Sequence, residues 1–440
     1  MLKRRSFVST WVGSRSGSAA RCVAVCLVTL LAACGGDGSE TSSSSETVLH
    51  SFGATSTDGT GPQALIQGKD GNFYGTTYGG GANRLSAGRF SGAAGDGTFY
   101  MVTPAGVETV LYSFGASNLD GLGPSGSLIQ AADGNFYGTT VLGGAADAGT
   151  LFKITPAGVE TVLYSFGTSS TDAINPSSGV IQGTDGNFYG TAGGGAYTSA
   201  EYGTVFMVTP SGVETVLHSF GSSPTDGQDP AGGLVQGLDG NFYGTTFQGG
   251  ATTDYTGTGE GTVYKITPAG EETPIYSFGS SNGSLDGYAP TGTLAQDSAG
   301  NLYGTTSNNV NGTTPAGSST SAGTVFKVTP AGVETVLYAF TLNPSSGGMA
   351  PNSVIVGSDG NLYGTTEDGG SGAGGLVFEI TSDGAYSVLH SFGQTNGPDG
   401  SDPIGVIQAS DGNLYGTTSA GGAVSSTSIG AGVVFKITLP

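Results

Sequence analysis

Two stretches decide the fold: Asp133-Gly-Asn-Phe-Tyr-Gly-Thr-Thr140, and after it Gly149-Thr-Leu-Phe-Lys-Ile-Thr-Pro-Ala-Gly-Val-Glu-Thr-Val-Leu-Tyr-Ser-Phe166. Asn135 to Thr140 alternates β-branched and aromatic residues behind the turn Ala132-Asp-Gly134, and Ser127-Leu-Ile-Gln130 precedes that turn as its partner. Thr150 to Thr155 and Glu160 to Phe166 flank a second turn, Pro156-Ala-Gly158. The period therefore reads as four strands, a (127–130), b (135–140), c (150–155) and d (160–166), in two hairpins.

The first stretch recurs seven times, 52 to 63 residues apart. It begins at Asp70, Asp133, Asp185, Asp239, Ala299, Asp359 and Asp411, with Leu in place of Phe in the last three. Four strands per repeat of this length point to a propeller blade, since β-helices and leucine-rich solenoids have shorter repeats. The sequence ends on a strand c, Val433 to Thr438, with no strand d behind it, while Glu46 to Phe52 is a strand d with no strands before it. Pairing these two completes the last blade and leaves no edge open. The expected fold is all-β: a single seven-bladed β-propeller over 46–440, four antiparallel strands per blade, closed by the N-terminal strand.

The repeat, Asp-Gly-Asn-(Phe/Leu)-Tyr-Gly-Thr-Thr with Gly-Thr-Val-Phe-Lys-(Ile/Val)-Thr and Val-Leu-Tyr-Ser-Phe, resembles the GloVer (Gloeo/Verruco) tandem-repeat family over about residues 46–438. That resemblance implies a secreted or anchored bacterial envelope protein and brings no catalytic residue with it. Ala299, standing where the other copies have Asp, argues that this Asp forms a turn.

Residues 1–33 carry Lys3, Arg4, Arg5, Arg15 and Arg21, no acid, and then the apolar run from Cys22 to Ala33, a pattern expected of an export signal. Leu31-Ala32-Ala33-Cys34 resembles a bacterial lipobox, which makes Cys34 the expected lipidation site and 34–45 a lipidated Cys with a flexible Gly/Ser tether. Gly35 behind Cys34 resembles the outer-membrane default, and Arg4-Arg5-Ser6-Phe7-Val8 partly matches a twin-arginine motif. The remaining chain has no Cys, which excludes disulfides, thiolate metal sites and Cys nucleophiles from it. Its 7 basic residues against 33 acids give −26, a charge that repels nucleic-acid backbones. With 83 Gly in 440 residues, a helical bundle is excluded as well.

In a repeat protein, residues present in every copy serve the copy, so function is sought where copies differ. Meander topology puts the d-to-a and b-to-c loops on one face. There the off-repeat Tyr78, Arg84, Arg89, Tyr197, Tyr202, Phe247, Tyr255 and Tyr288 are the candidate ligand-binding residues. An Asp-x-x-x-Pro motif in the d-to-a connection gives Asp58, Asp120, Asp172, Asp226, Asp286 and Asp399, with Gly347 in the sixth copy. These are either loop-forming residues or a carboxylate ring for Ca²⁺. The Gln at the end of strand a (Gln67, Gln130, Gln182, Gln236, Gln296, Gln408; Val356 in the sixth) reads as an inter-blade ladder or a channel lining. His50, His218 and His390 replace the Tyr of strand d and read as packing residues, too few for a Zn site or a Ser-His-Asp triad by themselves.

The expected function is non-enzymatic binding, through the loop-rich face of a lipid-anchored monomer, of a protein or polysaccharide partner. The only Trp, Trp11, falls in the signal, which weakens a sugar-platform reading. The alternatives are a hydrolase or lyase acting on an envelope or extracellular polymer, using off-repeat acids such as Glu201, Glu260, Glu367 and Asp368, and a structural adhesin. A close pair of carboxyls with raised pKa distinguishes the enzyme from the binder.

Overall fold

Every Phe-Tyr-Gly-Thr-Thr or Leu-Tyr-Gly-Thr-Thr segment is a strand whose successive side chains enter opposite inter-sheet spaces, which is why it is apolar on both faces. In the computed structural model the described residues are 44–440 except 56, 85–94, 196–201, 224, 252–258, 280–285, 309–321, 342–346, 394–396 and 424–429. The expected signal, Cys34 and nearly all of the tether lie outside them, and Asp37–Pro440 is one compact unit. All regular structure among the described residues is β-strand.

The second repeat shows the plan. Gly121–Gln130, Phe136–Gly143, Thr150–Ile154 and Glu160–Ser165 pair in that order as an antiparallel meander, strands a to d. Strand a is longer than the sequence suggests. It starts directly after Asp120, so the Asp-x-x-x-Pro connection is part of it, with a bulge between Ser125 and Ile129. Pro124 is tolerated because strand a is the edge of its meander. Strand d carries a second bulge at Leu163, between Val162 and Tyr164, and the same shift recurs at Leu49 in Ser45–Ser51.

The described strands form six sheets, of which the eight-stranded one is two such meanders joined by a single parallel pair, Gly179 and Ser127. In the first repeat strand a is split into Gly59–Pro62 and Ile66–Gln67. The last sheet takes its outer strand from the other end of the chain: Ser45–Ser51 runs antiparallel to Val433–Thr438, from Ser45 opposite Thr438 to Ser51 opposite Val433.

Sheets pack on their neighbours through aromatic contacts that the repeat supplies twice. The strand b Tyr stacks on the next strand b Phe, as in Tyr74–Phe136, Tyr137–Phe188 and Tyr189–Phe242 at 4.0 to 4.3 Å between centroids. The strand d Phe meets the aromatic ring of the next strand c edge-on, as in Phe114–Phe152 and Phe166–Phe206. Such pairs add about 0.5–1.5 kcal/mol each beyond their area burial. A third link is polar. Gln130 accepts from the backbone N of Lys69, Gln182 from Ala132, Gln236 from Thr184 and Gln296 from Leu238, so the strand a amides are the inter-sheet ladder. All three links also join the last repeat to the first, through Tyr415–Phe73, Phe52–Tyr100 and Ser410 N to Gln67.

The turn Asp behaves as Ala299 implied. Asp133 accepts from Asn135 N, Asn135 Nδ2 and Tyr137 OH, and at the Ala299 copy Asp297 takes over the same three partners from two residues earlier.

Candidate functional site

The first strands of all seven repeats line one cavity of about 590 Å³. Several polar groups in its wall hold neighbouring repeats together: Gly233 N donates to Thr293 at 2.9 Å, Thr291 Oγ1 donates to Pro351 O at 3.3 Å, and Asn352 Nδ2 donates to Pro403 O at 2.7 Å. Glu367, Asp402 and Ser419 join this wall where the repeat is broken.

A single backbone device sets this part of the wall. The residue before each strand a Pro has positive φ: Gly61 (63°), Gly123 (61°), Asn175 (54°), Asp229 (56°), Ala289 (54°), Ala350 (53°) and Asp402 (57°). A non-Gly residue there is strained by about 1 kcal/mol, so the shape is imposed by the fold while the side chain is free to differ. Opposite it across the a–b ladder is the residue after Gly-Thr-Thr. Asp402 thus opposes Ser419, and Ala350 opposes Glu367. Tyr78 and Phe247 hold the same position as Glu367 in the first and fourth repeats.

Glu367 and Asp402 come from adjacent repeats, and the charge of Asp402 bears on Glu367. Partial burial, then the charges of Asp368 and Asp402, raise the Glu367 pKa; partial burial and Asp368 raise that of Asp402. Of the off-repeat acids singled out in the sequence, Glu367 is at the cavity, and Asp402, which was not among them, joins it there. Asp402 was visible as a variable residue held between a recurrent Asp and a constant Pro.

The other sequence candidates disperse. Arg84 is exposed, Tyr202 is half-buried against Phe220 and Leu217, Tyr288 starts a strand a, and Glu260 is half-buried beside Gly279. Arg89, Tyr197, Tyr255 and Glu201 lie outside the described residues.

The six Asp-x-x-x-Pro carboxyls are each at their own sheet junction. They cap the loop that follows strand d: Asp120 accepts from Ala116 N and Gly121 N, Asp172 from Thr168 N, Asp226 from Ser222 N, Asp286 from Gly279 N, Asp399 from Gly393 N, and Asp58 from Ala54 N and Gly59 N. Each also faces the strand d Tyr or His. Tyr112, Tyr164 and Tyr276 donate to Asp120, Asp172 and Asp286 at 2.7 to 2.8 Å, and the three His stand in for Tyr beside Asp58, Asp226 and Asp399. The third member of each junction is the first Glu of the next strand d. Burial, then the neighbouring Asp, raises Glu160, Glu214, Glu334 and Glu46 to about 7.

Comparison with known proteins follows from this architecture. Residues 85–311 and 307–440 match the family described as the Gloeobacter/Verrucomicrobia repeat. No curated protein matches the sequence. Virginiamycin B lyase from Staphylococcus aureus is similar over 90% of this chain and 99% of its own, with a TM-score of 0.56 and 13% identity. A fungal alcohol oxidase of the AA5 family, in complex with copper, is similar over 88% of this chain and 76% of its own, with a TM-score of 0.50 and 14% identity. At such identities the likeness is one of fold: all-β, built of four-stranded antiparallel sheets, and propeller-like.

Proposed function

The chain belongs to the Gloeobacter/Verrucomicrobia repeat family, and from that premise we propose that it is a lipid-anchored, seven-bladed propeller of the bacterial envelope that holds a saccharide segment in its central cavity. The seven repeats, each a meander, and the pairing of Ser45–Ser51 with Val433–Thr438 support the closed ring. The lipobox at Cys34 supports the anchor, and Gly35 behind it supports the outer membrane. The observation that carries the ligand reading is the pair Glu367 and Asp402 at a cavity of about 590 Å³. That volume suits a ligand the size of one or two sugar residues, and carboxylates are strong acceptors for hydroxyl donors.

A second reading is favoured by the same pair. Two interacting carboxyls with raised pKa are what a hydrolase or lyase uses, one as acid and one as base. One experiment separates the readings. Gly35–Pro440 is incubated with envelope and extracellular polysaccharides, with and without Ca²⁺, beside the variants Glu367→Gln and Asp402→Asn. Retention without new chain ends, weakened about tenfold or more in either variant, supports the binder. New chain ends lost in the variants establish the enzyme. Retention that both variants preserve removes the cavity as the site.

A further inference from the structure

The three-membered junctions between sheets are of two kinds. Where strand d offers Tyr, its hydroxyl donates to the loop Asp and no imidazole is present, although Glu160 and Glu334 in these junctions also keep an unpartnered Oε1. Where strand d offers His, an imidazole nitrogen and two carboxyls from three different segments are brought together. In two of these junctions, His50 with Asp58 and Glu108, and His218 with Asp226 and Glu272, one ligand atom from each residue lies within 4.8 Å of the other two.

The first junction also has ligand atoms without partners. His50 Nε2 and Glu108 Oε1 are sealed from water and have no hydrogen-bond partner, and His50 Nε2 stands 3.9 Å from Asp58 Oδ1. In the second, His218 Nε2 is 3.2 Å from Asp226 Oδ1, and Glu272 Oε1 is sealed and unpartnered. A buried acceptor left in this state is destabilising.

We propose that these two junctions are binding sites for a divalent transition metal ion, Zn²⁺ in the first instance, each built from His, Asp and Glu. One imidazole and two carboxylates form a three-ligand set of the kind zinc accepts, with a fourth position left for water. Tetrahedral ligands around zinc stand about 3.3 Å apart, so side-chain movements of about 1 Å complete the geometry. The ion neutralises two buried carboxyls and satisfies the atoms that have no partner.

The location gives the site a purpose. His50 is on Ser45–Ser51, the strand contributed by the other end of the chain, while Glu108 is on Glu108–Ser113 of the first repeat. An ion there bridges the closing strand to the sheet beside it, a link otherwise made only by packing and hydrogen bonds. His218 and Glu272 bridge the third and fourth repeats in the same way. These sites are separate from the cavity, and their occupancy is independent of what the cavity holds.

The repeat supplies its own control, since Tyr occupies the His position at Tyr112, Tyr164, Tyr276 and Tyr338. Chelator-stripped Gly35–Pro440 is titrated with Zn²⁺ by calorimetry in excess Ca²⁺ and Mg²⁺, and with Co²⁺ by visible absorption. Two equivalents are expected for the wild type, one for His50→Tyr, one for His218→Tyr and none for the double variant. Zn²⁺ is expected to raise the melting temperature of the wild type and not of the double variant, while all four melt alike in chelator. Absence of saturable binding by a wild type that melts cooperatively overturns the proposal, and so does a double variant that binds as the wild type does.

Discussion

At the scale of the residue, the junction glutamates make a contribution to stability that is largest in acid, opposite in sign to that of the turn aspartates held below their usual range. Glu160, Glu214 and Glu334 sit half-buried beside Asp120, Asp172 and Asp286, and their carboxyls stand at about 7 against 4.5 in the unfolded chain. A folded pKa above the unfolded one means the folded state holds the proton more tightly. The stabilisation is complete below about pH 4.5 and is lost as pH rises through 7. Replacing all three by Gln, which mimics the protonated form, is expected to flatten the stability profile between pH 5 and 8. It is also expected to add about 1 kcal/mol per site at pH 8, allowing for water's access to these side chains. Urea midpoints measured across that range check this, and parallel curves for wild type and variant sink it. These glutamates were passed over in the sequence because each looks like an exposed strand residue on its own. The signal was nevertheless present: the one repeat with Gly347 in place of the loop Asp is followed by Tyr386 in place of Glu, and Tyr386 stacks on Tyr338 at 4.0 Å. When the acid on one side of a junction is absent, its partner is absent too, which no independent surface residue requires.

At the scale of the element, strands b, c and d were legible because β-branched and aromatic residues alternate without interruption, whereas strand a was cut short. Its first half contains Pro124 and two residues at positive φ, Gly123 and Gly126, a composition that reads as a loop. The strand exists because the neighbouring sheets enclose it on both sides, a tertiary cause that local propensity does not carry. The last repeat's part of this half lines the cavity with Asp402 and Pro403, so the same misreading hid Asp402. Strand b shows the opposite case, in which one local residue is dictated by a neighbouring strand. A Cβ on Gly138 would lie 2.6 Å from Phe152 Cζ and 2.8 Å from Leu128 Cδ2, since the strand c ring lies over the glycine. Gly138→Ala is expected to lower stability by about 1–3 kcal/mol through displacement of Phe152 from Phe114, read as a fall in the urea midpoint. The double variant Gly138→Ala with Phe152→Leu is expected to regain part of that loss. If it loses more than the sum of the single changes, the overlap with Phe152 is not the cause.

At the scale of the molecule, the repeat count and the unmatched strands c and d at the two ends sufficed to foresee which strands pair, because four-strand units leave a remainder that must be placed somewhere. The candidate site was not legible in the same way: the repeat averages out the few residues that differ, and Glu367, Asp402 and Ser419 meet at one cavity only after the sheets are arranged. What holds the arrangement is tested at its seam. Ser45–Ser51 covers the edge of Val433–Thr438, places Phe52 against Tyr100 with 2% of its surface exposed, and sets Glu46 and His50 into the junctions on either side. Starting the chain at Gly53 removes all of these at once. It also opens a strand edge flanked by the buried Val433 and Phe435, a template for pairing with other chains. The truncated protein is expected to lose several kcal/mol of stability, by the loss of a buried Phe and an edge strand, so that its midpoint falls, and to scatter light increasingly with concentration. A synthetic peptide spanning Ser44 to Gly53 should bind it in a 1:1 ratio and restore the midpoint, as strand addition does at any matched edge. A truncated chain as stable and as monomeric as the full one would mean the inter-sheet aromatic contacts alone keep the sheets in place, and that the terminal strand is an ornament on a structure already closed without it.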